Sequence, residues 1–137
     1  MDFQAYNKIL ICPKDIRTVT AGDITLGYEF EIKYPSYRGT FLSCIEALWF
    51  EVDGTRIEPQ NVTFCLNGKE FLLDELSECY KEYWFVRDAA VIRVRDATAL
   101  KEGAHRVRVF MKHRVPYTGY FGEYLILDSD VTTTLNV

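Results

Sequence analysis

The sequence predicts an all-β fold: one antiparallel β-sandwich of about eight or nine short strands with little helix, spanning residues 1–137 as a single domain. Three observations carry this. Apolar and polar residues alternate with a period of two along most of the chain. Asp-Gly and Asn-Gly pairs punctuate those runs where a tight hairpin needs positive φ. Aromatic residues reach 15 %, a content that suits strands and also suits an interface.

The elements follow in order. Tyr28, Phe30, Ile32 and Tyr34 alternate with Glu29, Glu31 and Lys33, the signature of a half-buried strand. Residues 42–52 form another strand region, apolar on both faces near Leu48-Trp49-Phe50, so both faces need cover from a second sheet or a partner. Asp53-Gly54 turns this strand into Thr55-Arg56-Ile57, and Asn67-Gly68 joins residues 62–65 to 70–72 in the same way. Residues 73–77 fit one helical turn. Residues 83–86 and 91–95 are strands around an Arg87-Asp88 turn. The longest alternation runs from His105 to His113, with His105, Val107, Val109, Met111 and His113 on one side. Residues 124–127 and 131–135 close the chain. The Cys…Trp…Cys spacing of an immunoglobulin domain is not seen, which leaves a jelly roll or a fibronectin-like variant open.

Composition narrows the function. A net charge of −4 argues against a phosphate-driven nucleic-acid binder. There is no apolar run of membrane-spanning length and no visible signal peptide, so a cytoplasmic protein is expected. Cys12, Cys44, Cys65 and Cys79 form no CxxC pair and are expected to be reduced thiols. His105 and His113 share a strand face but lie about 27 Å apart, too far for one metal, and no His-x-His pair exists. No catalytic carboxylate pair, nucleophile elbow or phosphate loop is recognisable, so no catalytic or metal-binding residue is assigned to this chain.

Two clusters remain. Arg93, Arg95, Arg106 and Arg108 lie at period two on neighbouring strands, and a hairpin would place four guanidinium groups on one face. That face is either a solvated one balanced by Glu29 and Glu31 or a dock for an acidic surface. Tyr34-Pro35-Ser36-Tyr37-Arg38-Gly39 and the segment from Arg114 through Tyr117 to Gly122 are loop-like and rich in Tyr, Arg, Pro and Gly. Such residues concentrate binding energy at interfaces, although a tyrosine also folds back to cap its own core.

The ordered set Tyr37-Arg38-Gly39, Leu42-Ser43, Val52-Asp53-Gly54, Gly68 with Phe71, Glu75-Leu76, Trp84-Phe85, Leu100 with Gly103-Ala104-His105, and Arg114 with Tyr117 resembles the small beta subunit of the C-glycoside deglycosidases. The likeness covers about residues 25–120. It implies a β-sandwich subunit in a hetero-oligomer with a TIM-barrel alpha subunit. That alpha subunit carries the divalent metal, usually manganese. The implied reaction cleaves the carbon–carbon bond between a 3-oxo sugar and a flavonoid-type aglycone. A ketone at C3 acidifies the C2 proton, a base removes it, and the aglycone leaves from C1 by elimination, a lyase step of flavonoid C-glycoside catabolism. This chain would be the accessory subunit, with Tyr34, Tyr37, Arg38, His105, Arg114 and Tyr117 on the surface facing partner or substrate. The alternative is a free-standing carbohydrate-binding sandwich whose exposed Tyr and Trp stack on sugar rings.

Overall fold

The computed structural model describes residues 3–115 and 122–137, and its strands form two packed antiparallel sheets with a small third. The first sheet holds β1 (Arg17–Ala21), β2 (Ile24–Ile32), β9 (Ala90–Arg95), β6 (Val62–Leu66) and β7 (Lys69–Leu72), in the order β1-β2-β9-β6-β7. The second holds β4 (Ile45–Val52), β5 (Thr55–Arg56), β10 (Ala104–Val115) and β11 (Leu125–Asn136), in the order β11-β10-β4-β5. Two-residue strands β3 (Thr40–Phe41) and β8 (Tyr83–Trp84) pair at one end. The all-β antiparallel expectation holds.

The core follows from the alternation. Tyr28, Phe30 and Ile32 of β2, Ile92 and Val94 of β9, and Val62, Phe64 and Leu66 of β6 are buried. Phe50, Val107, Val109 and Met111 meet them from the other sheet. Phe30 and Phe50 join the layers edge to face, with ring centroids 5.7 Å apart. Both expected hairpin turns are present. Asp53 and Gly54 have φ of 52° and 82°, and Asn67 and Gly68 have 55° and 73°, the two positive values a type I′ turn requires. The expected helical turn is the 3₁₀ segment Leu73–Glu78, where the Glu75 carboxylate accepts from the Leu72 N–H at 3.0 Å.

Several expectations are corrected. The region after Phe41 starts as a 3₁₀ turn, Leu42–Cys44, and only then becomes β4. The last two predicted segments are one strand, β11, paired with β10 along the whole length of both. β1 and the 3₁₀ segment Phe3–Ile9 carry no sequence signal; Arg17–Ala21 is a short, almost wholly exposed edge strand without a buried apolar face. The four arginines do not share a face: Arg93 and Arg95 belong to the five-stranded sheet, Arg106 and Arg108 to the other. The connection from β9 to β10 crosses between sheets, which adjacency in sequence does not reveal. Arg93 bonds Glu29 and Glu70 at 3.3 and 3.2 Å, and Arg108 forks onto Asp130 at 2.8 and 2.7 Å. These are balanced outer faces.

The second face of β4 is half-buried by side chains of neighbouring strands. The Trp49 ring stacks on Phe110 at 5.2 Å, and the Arg56 and Arg108 guanidinium groups sit over it at 4.5 and 4.9 Å. The four cysteines are free thiols, and burial pushes those of Cys12, Cys65 and Cys79 up, so they stay protonated and unreactive. Among the described residues, no helix is long and apolar enough to cross a membrane.

Candidate docking surface

One end of the sandwich collects most of the loop residues singled out in the sequence. There β2 gives way to the segment 33–39, β3 pairs with β8, β10 ends and β11 begins. Trp84 organises this end. It is fully buried, donates its indole N–H to the Asp88 carbonyl at 2.8 Å, and packs on Tyr34 and Phe64 at centroid distances of 5.6 and 5.3 Å. Because Trp84 points inward, strand parity turns Tyr83 and Phe85 outward. Phe41 packs edge to face on Tyr83 at 5.0 Å, and Tyr83 on Phe85 at 4.7 Å. Phe41 and Phe85 remain 41 % and 59 % exposed, an aromatic edge that the sandwich itself leaves uncovered. Gly39 is required beneath it, since a Cβ there would overlap the Trp84 carbonyl and the Tyr83 ring.

Tyr37 is exposed and rests on Tyr6 at 6.0 Å, and Arg38 beside it is exposed too. Arg114 is half-buried. Its guanidinium reaches the Glu46 carboxylate at 3.4 Å and the Ser43 carbonyl at 3.5 Å, and lies 5.5 Å from the Tyr124 ring. These contacts place Tyr124 and the exposed Leu125 and Ile126 on the same end.

Tyr34 does not belong to that surface. It is 2 % exposed, and its hydroxyl lies 2.8 Å from Nδ1 of His113. Nε2 of His113 is 3.4 Å from the Ser129 hydroxyl, which donates to Oδ1 of Asn7 at 2.9 Å. Burial depresses the His113 imidazole to about 4, so it is neutral at pH 7. One assignment satisfies the whole chain: Tyr34 donates to Nδ1, Nε2–H donates to Ser129, and Ser129 donates to Asn7. Tyr34 turns inward because its own strand alternation makes it a core residue with a polar tip.

His105 is also displaced. It lies at the start of β10 and Arg114 near its end, and a strand of that length separates them by roughly 30 Å. Its Nδ1 is 2.6 Å from the Asp53 carboxylate and its Nε2 is 2.6 Å from the Lys101 carbonyl. Both ring nitrogens face acceptors, an arrangement that favours the imidazolium form. The Asp53 hydrogen bond raises the His105 pKa and lowers that of Asp53. This is a clamp on the β4–β5 turn, at the opposite end. Tyr117 lies outside the described residues.

Sequence reading missed Phe41, Tyr83 and Phe85 as surface residues. The signal was present: Trp84 as the one inward residue of its strand fixes its neighbours outward. No group of three or more His, Cys, Asp or Glu among the described residues is arranged to hold a metal ion. The end described above is suited to covering a surface by apolar contact, with arginine and tyrosine groups to fix orientation.

Comparison with known proteins adds the lineage. Residues 6–117 match the family model for the C-glycoside deglycosidase beta subunit. A C-glycoside deglycosidase beta subunit of Eubacterium cellulosolvens is 37 % identical over 87 residues, covering 64 % of this chain and 58 % of that protein. A 3'-dehydrocarminate deglycosidase beta subunit of a Microbacterium species is 36 % identical over 99 residues, covering 72 % of this chain and 74 % of that protein. A C-glycoside deglycosidase beta subunit of Arthrobacter globiformis is 29 % identical over 107 residues, covering 78 % and 82 % respectively. The chain thus matches less than two thirds of the length of the first of these relatives and about three quarters or more of the other two. With the matched stretch spanning both sheets and the aromatic end, the chain belongs to the C-glycoside deglycosidase beta subunit family.

Proposed function

We propose that this chain is the accessory subunit of a deglycosidase hetero-oligomer, and that it docks on a TIM-barrel alpha subunit through the aromatic end of its sandwich. The observation that carries the reading is the set of exposed rings Tyr37, Phe41 and Phe85, the last two packed on half-buried Tyr83, which a protein acting alone would have reason to hide. The complex is a lyase acting on a 3-oxo C-glycoside in the cytoplasm, where it separates sugar from a flavonoid-type aglycone by elimination. Proton abstraction from C2 is assigned to the alpha subunit. The divalent metal, manganese, would be held there and supply Lewis acidity toward the 3-oxo sugar. This chain holds the barrel's loops in place, and Tyr37, Arg38 and Arg114 form the edge nearest the aglycone.

The carbohydrate-module alternative needs an aromatic face free to stack on a sugar. Neither tryptophan offers one, since Trp84 is fully buried and Trp49 is flanked by Phe110 and two arginines, which leaves that alternative exposed tyrosines such as Tyr37, Tyr80 and Tyr124. The test is co-expression with the candidate alpha subunit, size exclusion, and an assay of aglycone release from a 3-oxo C-glucoside with manganese. Co-elution is expected, with release only when both chains are present, and Tyr37→Ala/Phe85→Ala is expected to weaken co-elution. A monomer that ignores the alpha subunit and binds plain glycans would overturn the reading.

A further inference from the structure

A second feature lies on the outer face of the five-stranded sheet, beside the aromatic end. The segment 8–14 forms one wall of an open groove of about 900 Å³, and residues 86–89 form the other. Its floor is where β2 ends, with Cys12 N–H donating to the Glu31 carbonyl at 3.0 Å and Lys33 N–H to the Leu10 carbonyl at 2.9 Å. Ile9, Ile11, Pro13 and Val86 make the lining apolar. Lys8, Lys14, Lys33 and Arg87 rim it from both sides, against the one carboxylate of Glu31.

That carboxylate is already neutralised, by Lys14 at 3.3 Å and by Arg17 at 3.0 Å. Lys8, Lys33 and Arg87 have no carboxylate partner among the described residues. A chain with a net charge of −4 has therefore gathered surplus positive charge around one apolar trough. The groove is also continuous with the aromatic end. Val86 follows Phe85 directly, and Lys8 lies two residues beyond Tyr6, which carries Tyr37.

We propose that this groove seats an extended acidic segment of the partner subunit, with apolar side chains in the trough and carboxylates on the lysine and arginine rim. An open trough walled by long flexible cations suits a polypeptide better than a small ligand, which pockets enclose on most sides. The proposal rests on the docking reading above and adds the chemistry of the partner.

The test measures binding of the full chain to immobilised alpha subunit, with folding of each variant checked by circular dichroism. Lys33→Glu/Arg87→Glu is expected to weaken affinity about tenfold or more, mainly by slowing association. The wild-type affinity is expected to fall as NaCl rises from about 0.05 to about 0.5 M, and the double variant to lose most of that dependence. Lys112→Glu, on the other sheet, is the control and is expected to change little. Tyr37→Ala/Phe85→Ala is expected to speed dissociation and leave the salt dependence intact.

If the groove variant binds like wild type while the aromatic variant does not, the groove proposal falls and the docking reading stands. If neither variant matters, or no complex forms, both fall. The isolated chain supplies two further outcomes. Binding of the anionic aromatic probe 1-anilinonaphthalene-8-sulfonate that the groove variant abolishes, with partner affinity unchanged, would assign the trough to a small anion. Self-association lost in the same variant, again with partner affinity unchanged, would assign it to a second copy. Each of these would overturn the proposal.

Discussion

His105 and His113 lie on one strand and face the same way, yet their surroundings favour different charge states and they serve different ends of the molecule. His113 is enclosed, so desolvation keeps it neutral and it works as a link in a buried hydrogen-bond chain. His105 lies at the rim between a carboxylate and a carbonyl, so its charged form is favoured and it clamps a turn. Strand parity is shared between the two, and the difference comes wholly from what the other strands bring to each ring. The same contrast holds for the two ends of the sandwich. The His105 end ties its turn with polar bonds and exposes the aliphatic Ile24 and Leu26, whereas the His113 end packs a buried network beneath exposed aromatic rings.

The largest test of this contrast is Trp84→Ala. It removes the fully buried ring that supports Tyr34 and Phe64 and turns Tyr83 and Phe85 outward, and a loss of about 3–5 kcal/mol in chemical denaturation is expected. A loss under about 1 kcal/mol would mean that the aromatic end does not depend on this anchor. Tyr34→Phe comes next. It leaves Nδ1 of buried His113 without its donor and is expected to cost about 1–3 kcal/mol, read from denaturant midpoints at constant m.

The pH dependence separates the two histidines by sign. The folded pKa of His113 is depressed to about 4, below the unfolded value near 6.5. The unfolded chain therefore binds a proton first, and stability drops as pH falls from about 6.5 to about 4, by up to about 3 kcal/mol. The folded pKa of His105 is raised, so its contribution is fully present below about 6.5 and is lost as pH rises through the folded value. His113→Gln is expected to flatten the acidic limb of a stability–pH profile, and Asp53→Asn the neutral-to-alkaline fall. An acidic limb unchanged in His113→Gln would show that the ring is not held neutral. The smallest effect concerns Thr40, whose hydroxyl is buried without a hydrogen-bond partner among the described residues. Thr40→Val is expected to be neutral or slightly stabilising, within about 0.5 kcal/mol, because it removes an unsatisfied group at nearly constant shape.

Local patterns in the sequence carried a large part of this architecture. Alternation in 28–34 and 105–113 placed the inward residues correctly, and the Asp53-Gly54 and Asn67-Gly68 turns are where positive φ was expected. What depended on long-range pairing did not show. Arg93 and Arg106 look like hairpin neighbours, but the chain crosses between sheets, and Trp49 finds its cover in Phe110, Arg56 and Arg108 from other strands. Of the candidate surface residues, Tyr37, Arg38 and Arg114 lie together at one end. Tyr34 fits both the strand alternation and the loop cluster and follows the first into the core, and strand length puts His105 at the far end.

The central claim is that one end of the sandwich meets the partner and the other does not. Hydrogen–deuterium exchange of the chain alone and in complex with the alpha subunit tests it most directly. The account predicts new protection in residues 34–44, 83–89 and 124–126, with residues 53–56 and 101–106 unchanged. Protection confined to the His105 end, with the aromatic end exchanging as before, would contradict it.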